Sequence, residues 1–228
     1  MRRADDALAF AQRLRATTGV SLEVLSGDAE AAASYRGATY GVSHDGRRVA
    51  VLDIGGGSTE CALGRDGTLL ETRSIEIGSV RVAERFPALL GAAPGAPARV
   101  AAAAARAEIA ASLAPLRDLL PVAELRCVAG TPLTIGAVIA GSHVDAVSGS
   151  TLARVDLDAA IERLLELRLD ERRALTGMLA QRADIIVGGA LVLSEAMDVL
   201  EIAAGLLEAN DLLLGFLLLQ RERDAAAK

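Results

Sequence analysis

The chain has 228 residues, a formal net charge of −6 and 52% apolar residues, but only five aromatics, three Phe and two Tyr. That length suits one large domain or two small ones, and the apolar content excludes a disordered chain, so the core is expected to be aliphatic. An acidic chain with so few rings to stack bases on is no nucleic-acid binder. Lys228 is the only lysine, which excludes a Walker A site, a Schiff-base enzyme and a protein kinase together.

In chain order, apolar residues at Leu8, Phe10, Ala11 and Leu14 predict a helix over 4–18, stopped by Gly19. Residues 21–25 alternate like a strand. Asp28 is the expected cap of a second helix reaching about Tyr35. Val49–Ile54 is a continuous apolar run ending near Asp53, the pattern of a buried strand. Strands over 59–63 and 68–77 follow, so the intervening Gly55-Gly56-Gly57-Ser58 lies inside a β-meander. A short helix over 78–86 leads to the Gly/Ala/Pro-rich stretch 87–97, the best linker candidate. A long helix over 98–120, a strand over 124–129 and a helix over 133–139 come next. The remainder reads as helices over 156–167, 170–179, 182–200 and 206–223. The predicted class is α/β, with helices on a mixed sheet.

Cys61 and Cys127 stand far apart without CxxC spacing and read as small buried residues of a reduced compartment. His44 and His143 have no neighbouring cysteine, so a zinc site of the usual spacing is not expected. Residues 1–6 carry no apolar h-region, and the apolar run 212–219 is too short to span a bilayer. The expected location is the cytoplasm, with no membrane partner.

The most informative segment is Asp53-Ile54-Gly55-Gly56-Gly57-Ser58-Thr59-Glu60. Three residues without Cβ let the backbone approach an anion and aim several N–H groups at it. Ser58 and Thr59 add hydroxyls, Asp53 is placed to hold a Mg2+ or a water, and Glu60 is a second carboxylate. The plain alternative is a glycine hairpin with a buried Asp capping its turn. Such a hairpin resembles the phosphate loop of the actin and sugar-kinase superfamily, whose two ribonuclease H-like lobes close on phosphates. That architecture predicts a second glycine loop after another strand. Gly130-Thr131 stands in that position, where the alternative is an ordinary helix start with Thr131 as cap.

Further segments narrow the resemblance. Val24-Leu25-Ser26-Gly27-Asp28-Ala29-Glu30-Ala31, residues 51–60, Ser74–Arg81, Ala129-Gly130-Thr131 and Arg182–Ala190 are collinear with motifs of one family. Together they are similar to the exopolyphosphatase and guanosine pentaphosphate phosphohydrolase family. The resemblance implies actin-like, ribonuclease H-like lobes. It also implies release of terminal phosphate from inorganic polyphosphate or guanosine pentaphosphate with Mg2+. Glu30 would be the general base for the attacking water, with Asp53 and Glu60 at the metal. Gly55, Gly56, Gly57, Ser58, Thr59, Gly130 and Thr131 would hold phosphate, and Arg2 would lie on the polyphosphate path. A homodimer is left open.

The chain also departs from that pattern. It enters the family only at Met1-Arg2-Arg3-Ala4, after a first phosphate loop. The expectation is therefore a remnant of the first lobe in 1–33, a largely complete second lobe in 34–228, and turnover weakened or lost. Ala32 stands where the family has Arg, Ser148 where His is common, and Glu208–Gly215 replaces a segment with an Arg-Glu pair. The competing reading is a non-catalytic module that binds polyphosphate or a nucleotide.

Overall fold

In a computed structural model describing residues 7–22, 24–43 and 45–226, one six-stranded mixed sheet carries the chain's helices. Arg2, His44 and residues 4–6 of the first expected helix lie outside the described residues. The elements are α1 (Ala7–Thr18), α2 (Gly27–Ala38), β1 (Arg48–Ile54), β2 (Thr59–Arg65), β3 (Thr68–Ile75), α3 (Ser79–Arg85) and α4 (Ala96–Leu113). They continue with β4 (Glu124–Val128), α5 (Gly130–Ala140), β5 (Thr151–Ala153), α6 (Arg154–Leu165), α7 (Leu169–Arg173), α8 (Ile186–Val199), β6 (Ala204–Leu207) and α9 (Leu212–Ala226).

The sheet order is β3-β2-β1-β4-β6-β5. The first three strands are the expected antiparallel meander, β4 and β6 run parallel to β1, and β5 closes the edge antiparallel to β6. β1 is buried on both faces, as its unbroken apolar run requires. Ala50, Leu52 and Ile54 face the main aliphatic core, shared with Cys61, Leu125, Cys127 and the large helices. Val51 faces the opposite side, with Ala62 and Val128, beneath Ala31, Tyr35 and Ala38 of α2. α8 is buried on nearly every side, which explains why Ile186–Leu193 is apolar all round.

α9 lies across α2 at a crossing made of glycines. A Cβ on Gly37 would meet the Asp211 carbonyl and lie 3.0 Å from Gly215 N; one on Gly215 would meet the Ala33 carbonyl and lie 2.7 Å from Gly37 N. The expected lobe boundary after residue 33 falls inside α2, which packs on this same sheet.

Several expectations are corrected. No described residue of 21–25 joins the sheet, whose edges are β3 and β5. Alternation over five residues makes no strand without a partner. Ser26, not Asp28, caps α2, accepting from Ala29 N at 3.2 Å; Asp28 instead accepts the Thr72 hydroxyl of β3. Residues 87–97 are no linker. Leu89 is fully buried, and the segment is fastened to α6 and α7 through Gly95 N to Leu165 O, Leu169 N to Gly91 O, and Arg172 Nη1 to Leu89 O. The expected helix over 170–179 ends at Arg173, and Gly177, with φ +86°, lies against the Ala137 backbone. β5 falls where no element was expected, and β6 takes the first residues of the helix expected over 206–223, which begins instead at Leu212.

Candidate active site

β1 and β4 are parallel neighbours, with Asp53 opposite Val128, so the two glycine segments leave the sheet side by side at the carboxyl ends of adjacent strands. This is where open α/β sheets bind ligands. On β1 and β2, Asp53 is directly opposite Glu60, with Cβ atoms ~5 Å apart on the face covered by α2. Ser34 of α2, 1% exposed, donates its hydroxyl to Asp53 Oδ2 at 2.7 Å. Glu30 lies one helical turn earlier, about 6 Å along the same face. The structure therefore brings Glu30, Asp53 and Glu60 to one end of the sheet. Glu60 is 4% exposed and accepts from the Ser74 hydroxyl at 2.8 Å. Burial pushes the Asp53 carboxyl up to about 6; the Ser34 hydrogen bond opposes this, and the charges of Glu60 and Asp211 add to it.

The loop geometry follows from α3. The carbonyl of Gly55 accepts from Ser79 N at 3.0 Å, that of Gly56 from Val80 N and Arg81 N at 2.9 and 3.1 Å, and that of Gly57 from Arg81 Nε at 2.9 Å. In a trans peptide the C=O and the following N–H point in opposite directions. Three successive carbonyls held on the α3 side therefore turn the N–H groups of Gly56, Gly57 and Ser58 the other way. That is an anion nest. Gly78 allows the close approach, since a Cβ there would lie 2.6 Å from Gly56 O and 2.7 Å from Gly55 O.

The two threonines support the loops from behind. Thr59 is fully buried and donates to Ile77 O at 2.6 Å, so its hydroxyl fastens the loop and does not line its mouth. Thr131 is 1% exposed and lies against Gly189 of α8. Ala129, not Thr131, is the cap residue of α5, at φ +69° and ψ −177°. That region is otherwise kept for glycine and stores about 1–3 kcal/mol of strain.

Two arginines at the loops were given no role from the sequence. Arg81 is one. Arg182 is the other: a Cβ on Gly130 would fall 2.5 Å from its Nε, so its guanidinium lies on the backbone at the start of α5. A cation and a helix N-terminus there favour the same anion. The signal for Arg182 was the absent side chain at Gly130. Arg2 lies outside the described residues.

Among the described residues no cluster of three or more His, Cys, Asp or Glu side chains is built to hold a metal. Asp53 and Glu60 nevertheless fit Mg2+, which takes one or two carboxylates and completes its shell with water and phosphate oxygens. A buried carboxyl pushed up to about 6 is a group that a cation would stabilise. A groove of about 600 Å3 at the far end of α2, lined by Tyr35, Arg36, Tyr40 and Asp66, contains none of the predicted residues. Cys61 and Cys127 are free thiols buried on either side of Leu52, and burial pushes both up to about 12, which makes them packing groups. No helix among the described residues is long and apolar enough to cross a membrane.

Comparison with known proteins identifies the family and the fold. Residues 1–212 match the Ppx/GppA phosphatase family. Exopolyphosphatase 2 of Mycobacterium tuberculosis is 34% identical over 197 residues, covering 84% of this chain and 60% of that protein. A guanosine-5'-triphosphate,3'-diphosphate pyrophosphatase of Vibrio vulnificus is 27% identical over 206 residues, covering 86% of this chain and 38% of its own length. The chain thus spans about 60% or less of the length of these relatives. The crystal structure of an exopolyphosphatase-like protein superposes with a TM-score of 0.85 at 27% identity, covering 97% of this chain and 75% of that one. The Aquifex aeolicus member of the Ppx/GppA family gives 0.82 at 22% identity, covering 98% and 72%. The architecture is that of the actin-like ATPase fold, as expected from the glycine hairpin. The chain belongs to the Ppx/GppA phosphatase family.

Proposed function

We propose that this chain carries the phosphate-cleaving half-site of a phosphoanhydride hydrolase acting on inorganic polyphosphate or guanosine pentaphosphate. The observation that supports this most is the row of N–H groups at Gly56, Gly57 and Ser58, turned away from α3 beside the Asp53–Glu60 pair. A terminal phosphoryl group held there has its charge met by fixed dipoles that need no reorganisation during reaction. The guanidinium of Arg182 and the N-terminus of α5 add to the same field.

Glu30 is the base. Its carboxylate takes a proton from water as the water oxygen bonds to the terminal phosphorus. The bridging P–O bond breaks, and its electron pair leaves with the shortened chain as a phosphate oxyanion. Asp53 and Glu60 would hold Mg2+, which when bound would neutralise charge on the phosphoryl oxygens. Ser34 keeps Asp53 in register with the helix that bears the base. The free, buried cysteines fit a reduced, cytoplasmic setting.

The test is phosphate release from polyphosphate with Mg2+, comparing the chain with its Glu30→Gln variant. Loss of a general base lowers the rate ~10²–10⁴-fold, while polyphosphate binding should persist. Equal rates would remove Glu30 from the reaction. Binding without hydrolysis by the unaltered chain would favour the non-catalytic module.

A further inference from the structure

Arg81 stands at the glycine loop but was assigned no part in the reaction. Its Nε donates to Gly57 O at 2.9 Å, and its Nη2 is 2.9 Å from Glu76 Oε2. The guanidinium is thus fixed at two points, with one donor committed to a carbonyl of the loop. The backbone N–H groups at the start of α3 already hold the carbonyls of Gly55 and Gly56. They do not hold the third. The Gly57 carbonyl receives its bond from the Arg81 side chain. The Gly57–Ser58 peptide is flanked by glycine, so without that bond its plane has little steric resistance to turning. Because C=O and N–H are antiparallel across the plane, the bond to Gly57 O decides which way the Ser58 N–H points.

We infer that Arg81 is a positioning residue that completes the nest by holding the Gly57 carbonyl, and does not act as a direct phosphate cation. This rests on the phosphate-loop reading above. The side chain is 43% exposed, so substitutions here leave the core intact.

The chemistry of the donor supplies a discriminating test. Glutamine carries its amide nitrogen at the same bond distance from Cβ as arginine carries Nε, so Arg81→Gln keeps a donor for Gly57 O and removes the charge. Arg81→Met keeps a stem and removes the donor. Arg81→Lys keeps the charge and moves the donor one atom out. Pyrophosphate binding by the whole chain is measured by calorimetry, together with the amide shifts of Gly56, Gly57 and Ser58. The expectation is about tenfold weaker binding for Arg81→Met, the loss that one charge-assisted hydrogen bond represents. Arg81→Gln should remain within about threefold of the unaltered chain, and the amide shifts should move in Met but not in Gln.

The inference is overturned if Lys binds like the unaltered chain while Gln falls with Met, which is the order for a direct cation. It is also overturned if Met binds normally. If the unaltered chain binds no pyrophosphate, the phosphate-loop reading falls and takes this inference with it. Normal binding by the unaltered chain and by Met together removes the inference alone.

Discussion

The α2–α9 crossing gives a sharp prediction, because α2 carries Glu30 and Ser34 and its seat is set by backbone contact. In Gly215→Ala the new methyl would meet the Ala33 carbonyl, with the carbonyl carbon at 2.6 Å and Gly37 N at 2.7 Å. Ordinary contact begins near 3.4 Å, both obstacles are backbone, and no side chain can swing aside. The helices must therefore separate by about 1 Å, and overpacking of that kind costs about 1–3 kcal/mol. Alanine in a helix returns ~1 kcal/mol of propensity, but separation also opens the apolar junction of the two helices, where Ala29, Ala32 and Ala33 stand beside Phe216 and Leu219. The net expectation is a loss of about 2–3 kcal/mol, or roughly 5–10 °C in Tm for a chain this size. Gly19→Ala is the control: nothing lies within 4 Å of its Cβ, and only its φ of +74° opposes the change, a penalty of ~1–2 kcal/mol. A 1 Å displacement of a base-bearing helix is also enough to lower phosphate release ~10²-fold. Thermal melts and phosphate release well below the transition are the assays. A Gly215→Ala protein that melts at or above the unaltered chain would refute the reasoning.

Asp53 gives a pH prediction whose sign is opposite to that of a salt-bridged aspartate. Its folded value, about 6, lies above the unfolded one, so stability from this group is full below pH ~4 and falls as pH rises to ~6. The difference is ~2–3 kcal/mol. Asp53→Asn should then match the unaltered chain at pH 4 and exceed it by that amount at pH 8, in urea unfolding without divalent cations; a less stable variant at pH 8 would contradict the burial argument. Ala129→Gly should relieve the strain at φ +69°. After ~0.4–1 kcal/mol for added unfolded-state freedom, a gain of about 1 kcal/mol, or ~2–4 °C in Tm, is expected. Calorimetry showing a lower Tm would mean the backbone there is not strained.

The parts legible in the sequence are those written in local pattern. The run at Val49–Ile54 declared a strand buried on both faces, and the hairpin through Gly55–Gly57 declared a loop with little side-chain bulk. Asp53 and Glu60 were legible beside the glycines and Glu30 only through the family resemblance, and the structure places all three at one end of the sheet. What the sequence hid is tertiary. β6 is the four residues Ala-Gly-Leu-Leu, without a β-branched residue. It becomes a strand because β4 offers it a parallel edge and Gly205 leaves room for Cys127 Sγ, 2.7 Å from where a Cβ would sit. Residues 87–97 have a linker's composition, but the buried Arg172 guanidinium and the end of α6 hold them in place. Thr59 and Thr131 read as phosphate hydroxyls because hydroxyls beside glycines often are. The burial of Thr59 on Ile77 O and of Thr131 against α8 is a property of packing that no spacing reveals.

Charge explains how an acidic chain with a single lysine can present an anion site at all. Many of its described arginines are held in ion pairs, among them Arg36 with Glu222, Arg85 with Glu108, Arg99 with Glu162 and Glu166, Arg106 with Asp158 and Glu195, and Arg126 with Glu124 and Glu208. These pairs neutralise each other and steer nothing toward the loop. Attraction for phosphate must come from groups that are fixed and close: the N–H row set by α3, the start of α5, and Arg182 over Gly130, which makes no ion pair with a described residue. Such short-range dipoles lose little when salt screens charges beyond ~8–10 Å. They also answer a difficulty raised by the composition, since a phosphate loop built from backbone needs no lysine and tolerates a net charge of −6. Selectivity then follows from shape. A loop whose donors are peptide N–H groups recognises the oxygens of one phosphoryl group, and leaves the rest of the substrate to be read by residues elsewhere on the cleft.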